Sequence, residues 1–186
     1  IIAELHYTPN RSARMLSGAR QLRFGLLYNN PRSSYIMDFL MAAIDEASLT
    51  DVQLIARGCQ LGEDDAMVLD SLINSGIDAI VLSPPLCDSP ALIELVSRSG
   101  VAGLLISTYC SLTDLASISI DETAAARQMT EHLLALGHRR IGFIAGEPVL
   151  AASHARKAGF LAALDAAGIV PDPALIAQGD FTYPSG

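Results

Sequence analysis

The stretch Phe24-Gly-Leu-Leu-Tyr28, followed by Asn29-Asn-Pro-Arg-Ser-Ser34, and then Ile36, Phe39, Leu40, Ala43, Ile44 and Ala47, decides the fold. An apolar run over about 23–29 has strand length. It gives way through a polar, proline-containing loop to a helix over 35–48. The apolar residues of that helix fall at i, i+3, i+4, i+7, i+8 and i+11, which is one continuous stripe on a 3.6-residue period. An apolar strand feeding an amphipathic helix is half of a βαβ unit, the building block of a parallel sheet covered on both faces.

The same alternation continues along the chain. Val52-Gln-Leu-Ile-Ala56 is a second strand, and Gly62-Glu-Asp-Asp65 loads acid onto the start of the next helix, as the helix dipole prefers. That helix runs to about Asn74 and stops at Gly76. Ile77-Asp-Ala-Ile-Val-Leu82 is a third strand, ended by Ser83-Pro-Pro85, and a helix over 89–99 ends at Gly100. Strands over 101–107 and 117–120 precede a long helix over 122–136. Arg140-Ile-Gly-Phe-Ile-Ala-Gly146 restarts the pattern, with a helix over 154–167 ending at Gly168 and a strand over 175–180. The fold class is therefore α/β, with a repeat of roughly 25 residues that belongs to βα units and not to a solenoid.

Composition agrees. The 186 residues are 51% hydrophobic and 17% charged, enough for a sizeable core and against disorder. The net charge of −8 is unevenly placed. Residues 1–23 carry four Arg (11, 14, 20, 23) against Glu4, about +3, and the remainder carries 8 basic against 19 acidic residues, about −11. An acidic body repels a phosphate backbone, so any DNA contact belongs to the N-terminal end. Cys59, Cys87 and Cys110 are odd in number and lack CxxC spacing, which argues against a disulfide framework or a zinc site and suits a reducing cytoplasm. His6, His132, His138 and His154 have no metal-ligand spacing. There is no signal peptide and no apolar run long enough to span a bilayer, and a chain starting at Ile1 reads as a fragment. Neither a GxSxG elbow, a phosphate loop nor a dinucleotide fingerprint is present, and no cofactor is expected.

Upstream of the first strand stands Tyr7-Thr-Pro-Asn-Arg-Ser-Ala-Arg-Met-Leu-Ser-Gly18. Asn10 is a good N-cap and Gly18 a good helix terminator. A cationic helix of seven or eight residues is too short to be stable alone and orders only against a partner, which DNA would suit; the alternative is an ordinary helical N-terminal arm or linker. The segment resembles the hinge helix of the lactose-repressor (LacI/GalR) family, with Asn10, Arg11, Ala13 and Leu16 as the hinge residues. In that family paired hinge helices enter the minor groove at the operator centre and insert a leucine pair; Leu16 holds that position here. Gly137-His-Arg-Arg140 resembles the family's crossover between the two lobes of its core. The resemblance covers the whole chain and implies a fold of the periplasmic-binding-protein type I, parallel sheets with helices on both faces. It further implies an N-terminal lobe that is largely present and a C-terminal lobe that is truncated. The implied organisation is the end of a helix-turn-helix head at 1–9, hinge and linker at 10–22, the N-terminal lobe at 23–137 and the start of the C-terminal lobe at 138–186.

In open parallel sheets ligands bind beyond the carboxyl ends of the strands. Tyr35 matches by position an aromatic lining the effector pocket of purine-type relatives, or is a helix-start aromatic packed on its lobe. Ser83 is a polar contact at the third strand's end or plain turn chemistry before Pro-Pro. Asp121 caps the following helix or touches ligand. Arg156, in Arg-Lys-Ala-Gly-Phe160, matches a cleft arginine whose planar fork suits hydroxyl or acidic groups, or is a solvated helix arginine. Phe181 matches an aromatic that stacks on the effector ring, or is core. Leu150 and Ala152 stand where purine-binding relatives place polar residues, which favours a carbohydrate or small metabolite over a purine.

The implied function is a cytoplasmic, ligand-responsive transcription regulator, a repressor acting as a homodimer on operator DNA and not an enzyme. A periplasmic sugar-binding protein of an ABC transporter shares the fold and is the alternative; the Asn10–Gly18 segment separates the two. An enzyme on a flavodoxin-like sheet is the third reading, and it lacks any catalytic constellation.

Overall fold

A computed structural model of the protein describes residues 21–29, 34–59, 63–109 and 114–185. The expected hinge residues Asn10, Arg11, Ala13 and Leu16, and with them the 1–9 segment, lie outside the described residues.

Among the described residues seven strands and five α-helices alternate: β1 (Leu22–Tyr28), α1 (Ser34–Leu49), β2 (Val52–Gly58), α2 (Asp65–Asn74), β3 (Ala79–Leu82), α3 (Pro90–Ser99), β4 (Ala102–Ile106), β5 (Ala116–Ile118), α4 (Glu122–Ala135), β6 (Phe143–Ala145), α5 (Ala151–Ala166) and β7 (Ile176–Gln178). The first five strands form one sheet in the order β2-β1-β3-β4-β5, and β6 and β7 form a second. Each of these pairings is parallel. These are the parallel sheets the alternation predicts.

Leu26 and Leu27 of β1 point to opposite faces and are both fully buried, as a central parallel strand requires. One face carries the main core, where Leu27, Ile80, Leu82 and Leu105 of the sheet meet Leu69 and Leu72 of α2 and Leu92, Ile93 and Val96 of α3. Asp64 starts α2 by accepting from the amides of Ala66 and Met67 at 2.9 and 3.3 Å. Arg23 closes the other end: its guanidinium donates to the carbonyls of Ser75 and Gly76, and its amide donates to the Asp78 carboxylate at 2.8 Å. Part of the N-terminal positive charge is thus spent inside the lobe.

The α1 stripe is buried or half-buried at Ile36, Phe39, Leu40, Ala43 and Ala47 and exposed at Ile44; Met37 and Met41, outside the stripe, are exposed too, so this helix is apolar on more than one face. In the second lobe three elements differ from expectation in their bounds. α5 begins at Ala151, three residues before the periodicity suggests, because its N-cap is Leu150, a residue with no capping side chain to mark the start. The strands over 140–146 and 175–180 shrink to Phe143–Ala145 and Ile176–Gln178, since each pairs on one edge only among the described residues.

α4 precedes the expected lobe boundary at 137/138, yet it packs along α5, which follows that boundary. Gly159 allows this. A Cβ built there would lie 2.1 Å from the Thr123 carbonyl oxygen of α4, so the two backbones touch where the side chain is missing. Next to it, Phe160 stacks on Phe143 with ring centroids 4.8 Å apart, a contact worth about 0.5–1.5 kcal/mol beyond its buried area.

Alanine normally stabilises a helix interior over glycine by about 1 kcal/mol. Gly159→Ala should do the reverse, lowering the urea midpoint by an amount equivalent to about 1–3 kcal/mol of overpacking. A midpoint that stays or rises would contradict the backbone contact.

Candidate functional site

Polar and aromatic side chains gather at the carboxyl ends of the strands. From the first lobe, Tyr35 opens α1 and its hydroxyl lies 3.3 Å from Ser107 Oγ at the end of β4. Ser107 has a left-handed backbone, φ 54°, which turns the chain sharply after the strand. Asp88 then fixes the continuation: its carboxylate accepts from Thr108 Oγ1 and from the Tyr109 amide, both at 2.8 Å. Thr108 Oγ1 also donates to the Cys87 carbonyl at 3.1 Å. This turn brings Tyr109 to the start of α4.

There the phenol stands within electrostatic reach of Glu122, Arg156 and Asp121. Burial holds the Tyr109 hydroxyl above its ordinary value of 10, and the Glu122 charge pushes the same way; Arg156 pulls it back. Arg156 and Glu122 are themselves locked together. Nε donates to Oε2 at 2.6 Å and Nη2 to Oε1 at 2.7 Å, a fork-to-fork pair between α5 and α4. The carboxylate is buried, with a side chain 7% exposed, whereas the guanidinium is 41% exposed. Hydrogen bonding to Glu122 keeps Arg156 firmly protonated.

The second lobe closes the far side. Phe181 follows β7 with φ 61°, and its ring sits directly on Gly146 at the end of β6. A Cβ on Gly146 would come within 2.0 Å of the ring and 2.7 Å of Ser153 Oγ, so only glycine leaves room for that contact. Ser153 lies one helical turn before Arg156. A chain of neighbours therefore runs from Tyr35 through Ser107, Tyr109, Glu122, Arg156 and Ser153 to Phe181.

Of the residues singled out from sequence, Tyr35, Arg156 and Phe181 belong to this chain. Asp121 joins it as the N-cap of α4, one carboxylate oxygen accepting from the Ala124 amide at 2.8 Å. Ser83 does not. It is 1% exposed and its hydroxyl donates to the Leu27 carbonyl of β1 at 3.2 Å, a bond between neighbouring strands and not a turn bond. Sequence reasoning missed Glu122, Tyr109, Ser107, Asp88 and Ser153. Glu122 had one visible signal, an acid in the first turn of a helix beside a capping aspartate, but that signal reads first as dipole compensation. Among the described residues no group of three His, Cys, Asp or Glu is placed to hold a metal, and no helix is long and apolar enough to cross a membrane. Cys59 and Cys87 are buried, and burial pushes both thiols up to about 12, so both stay as inert thiols.

Residues 21–186 match the family described as periplasmic binding proteins and sugar binding domain of LacI family. Over 194 residues the chain is 30% identical to the HTH-type transcriptional regulator CelR of Thermobifida fusca, covering 100% of this chain and 56% of that protein. It is 26% identical over 191 residues to the catabolite control protein A of Priestia megaterium, again 100% and 56%. The lac repressor dimer bound to operator and the anti-inducer ONPF superposes with a TM-score of 0.81 at 24% identity, over 99% of this chain and 56% of that one. A CelR–cellobiose complex gives a TM-score of 0.73 at 25% identity, over 99% and 56%. The chain spans 56% of the length of these curated relatives.

The phenol of Tyr109 makes a pH prediction. Its folded value lies above its unfolded one, so its contribution to stability is complete below pH 10 and is lost as pH rises toward the folded value. Urea unfolding followed across this range should show a fall above pH 10 that is reduced in Tyr109→Phe; superimposable profiles would contradict the placement of the ring.

Proposed function

The chain belongs to the family of periplasmic binding proteins and LacI-type sugar-binding domains, and from that premise we infer that it is the effector-sensing part of a transcription regulator. The observation that carries this reading is the chain of side chains from Tyr35 to Phe181 at the strands' carboxyl ends. It offers two aromatic faces for a sugar's C–H surface and, between them, a fixed guanidinium fork for its hydroxyls. Relatives of this chain are named as transcriptional regulators and repressors, and a solved relative is named as a cellobiose complex; these names support a carbohydrate effector here. No catalytic role is assigned to any residue, and the protein works in the cytoplasm.

The mechanism is a shift between two lobe arrangements. Tyr109 comes from the first lobe, Arg156 and Phe181 from the second, so a ligand touching all three binds one arrangement better than the other. That differential affinity is what moves the population. With residues 1–9 as the end of a helix-turn-helix head and 10–22 as hinge and linker, the arrangement of the lobes governs whether two hinges fold together on the operator. Asn10, Arg11, Ala13 and Leu16 make the DNA contact, and the lobes divide at 137/138.

Pairing of hinges requires a homodimer. Met37, Met41 and Ile44 fall at i, i+4 and i+7 on α1 and are 45%, 52% and 45% exposed, an apolar stripe of the kind that a second subunit covers. The lac repressor, which has the same fold, is a dimer when bound to its operator.

Two measurements test the reading. Met41→Glu should shift the protein from dimer to monomer in sedimentation equilibrium, and an unaltered association constant would remove α1 from the interface. In a polypeptide carrying the DNA-reading head, Leu16→Ala should weaken specific operator binding while leaving sugar affinity nearly unchanged. Equal operator affinity would defeat the hinge assignment.

A further inference from the structure

Ser153 is an anomaly in the second lobe. It is 4% exposed, and its Oγ has no hydrogen-bond partner among the described residues. Buried polar groups are almost always paired, and an orphaned one costs about 1–3 kcal/mol. A helical hydroxyl ordinarily bonds back to the carbonyl one turn earlier, as Thr130 does with Ala126 at 2.8 Å. Ser153 sits in the first turn of α5 and its hydroxyl makes no such bond, although its amide donates to the Leu150 carbonyl behind it at 3.0 Å. The residue one place earlier precedes the helix.

A second cost is stored at the same place. The ring that shares the space over Gly146 with this hydroxyl belongs to Phe181, a bulky residue held at φ 61°. Left-handed backbone costs a non-glycine residue about 1–2 kcal/mol, and such strain collects where a conformation is used. The third observation is the start of α5, which has Leu150 at its N-cap and no side chain to satisfy its first amides. An orphan hydroxyl, a strained aromatic neighbour and an uncapped helix start thus converge.

We propose that Ser153 Oγ is a hidden effector contact: the Phe181 ring, which shares the space over Gly146 with it, turns to lay its face on a neutral, hydroxyl-rich ligand, one of whose hydroxyls completes the missing hydrogen bond. The inference rests on the carbohydrate reading above and deepens it. Neutrality follows from the neighbourhood. The Arg156 charge is already matched by Glu122 at 2.6 Å, so the guanidinium is not left seeking an anion. A sugar hydroxyl accepts from the first-turn amides and exchanges a bond with Ser153 at once, which water in the same place does without selectivity.

The chain contains no tryptophan, so Phe181→Trp installs a single indole whose emission reports the turning of the ring. The probes are cellobiose and then a panel of other neutral disaccharides. The proposal expects a saturable emission change in this reporter. Adding Ser153→Ala should weaken the affinity roughly three- to tenfold, the loss of one neutral hydrogen bond, while the ligand-free melting temperature stays level or rises. Adding Arg156→Lys, which keeps a cation for Glu122 but loses the fork, should weaken binding as well. If Arg156→Lys weakens binding and Ser153→Ala leaves it unchanged, the cleft reading stands and the Ser153 contact is overturned. A lower ligand-free melting temperature for Ser153→Ala would also overturn it, because the hydroxyl would then have a structural partner. If no sugar alters the emission, the carbohydrate reading falls and takes the Ser153 contact with it.

Discussion

A carboxylate taken out of water has to be answered, and in this protein Glu122 is answered by Arg156. The pair is bidentate, with both carboxylate oxygens used, and it joins the first turn of α4 to the first half of α5. Removing one member of a fully buried pair costs about 3–5 kcal/mol, and the half-exposed guanidinium places this one toward the lower end of that range. The net stabilisation over an apolar pair of the same shape is small. What the arrangement supplies is direction: a guanidinium fork held in one orientation, with one edge spent on Glu122 and the rest turned toward solvent.

Much of the surrounding structure serves that placement. Gly159 lets α5 approach α4 closely enough for the fork to meet the carboxylate, and the Phe143–Phe160 stack seats α5 on its own sheet. From the other lobe, Asp88 holds the loop that brings Tyr109 within electrostatic reach of the same two charges. The lobes are thereby coupled through a phenol, a carboxylate and a guanidinium. Under the proposed function, a ligand inserted among them would alter their mutual placement, which is how a small molecule would gain leverage over lobe orientation.

The fold was legible because its signals are local and repeated. Apolar runs at Phe24–Tyr28 and Ile77–Leu82, helix stripes between them, and glycines at 76, 100 and 168 mark a βα repeat without reference to tertiary contacts. The start of α5 was not legible, since Leu150 carries no capping group. The site was half legible. Arg156, Phe181 and Tyr35 stand out by resemblance, but what Arg156 touches depends on a residue 34 positions away. Ser153 was invisible for a stronger reason: its distinction is a bond it does not make, which no pattern of residues marks.

The central claim is that Glu122 sets the charge of the cleft by matching Arg156. It is tested most directly by calorimetric titration of the parent protein and Glu122→Gln with a neutral disaccharide and with the corresponding sugar phosphate. The parent should prefer the neutral sugar, and Glu122→Gln, which frees the positive charge while keeping a side chain of the same shape, should shift the preference toward the phosphate. The same preference in both proteins would contradict the account.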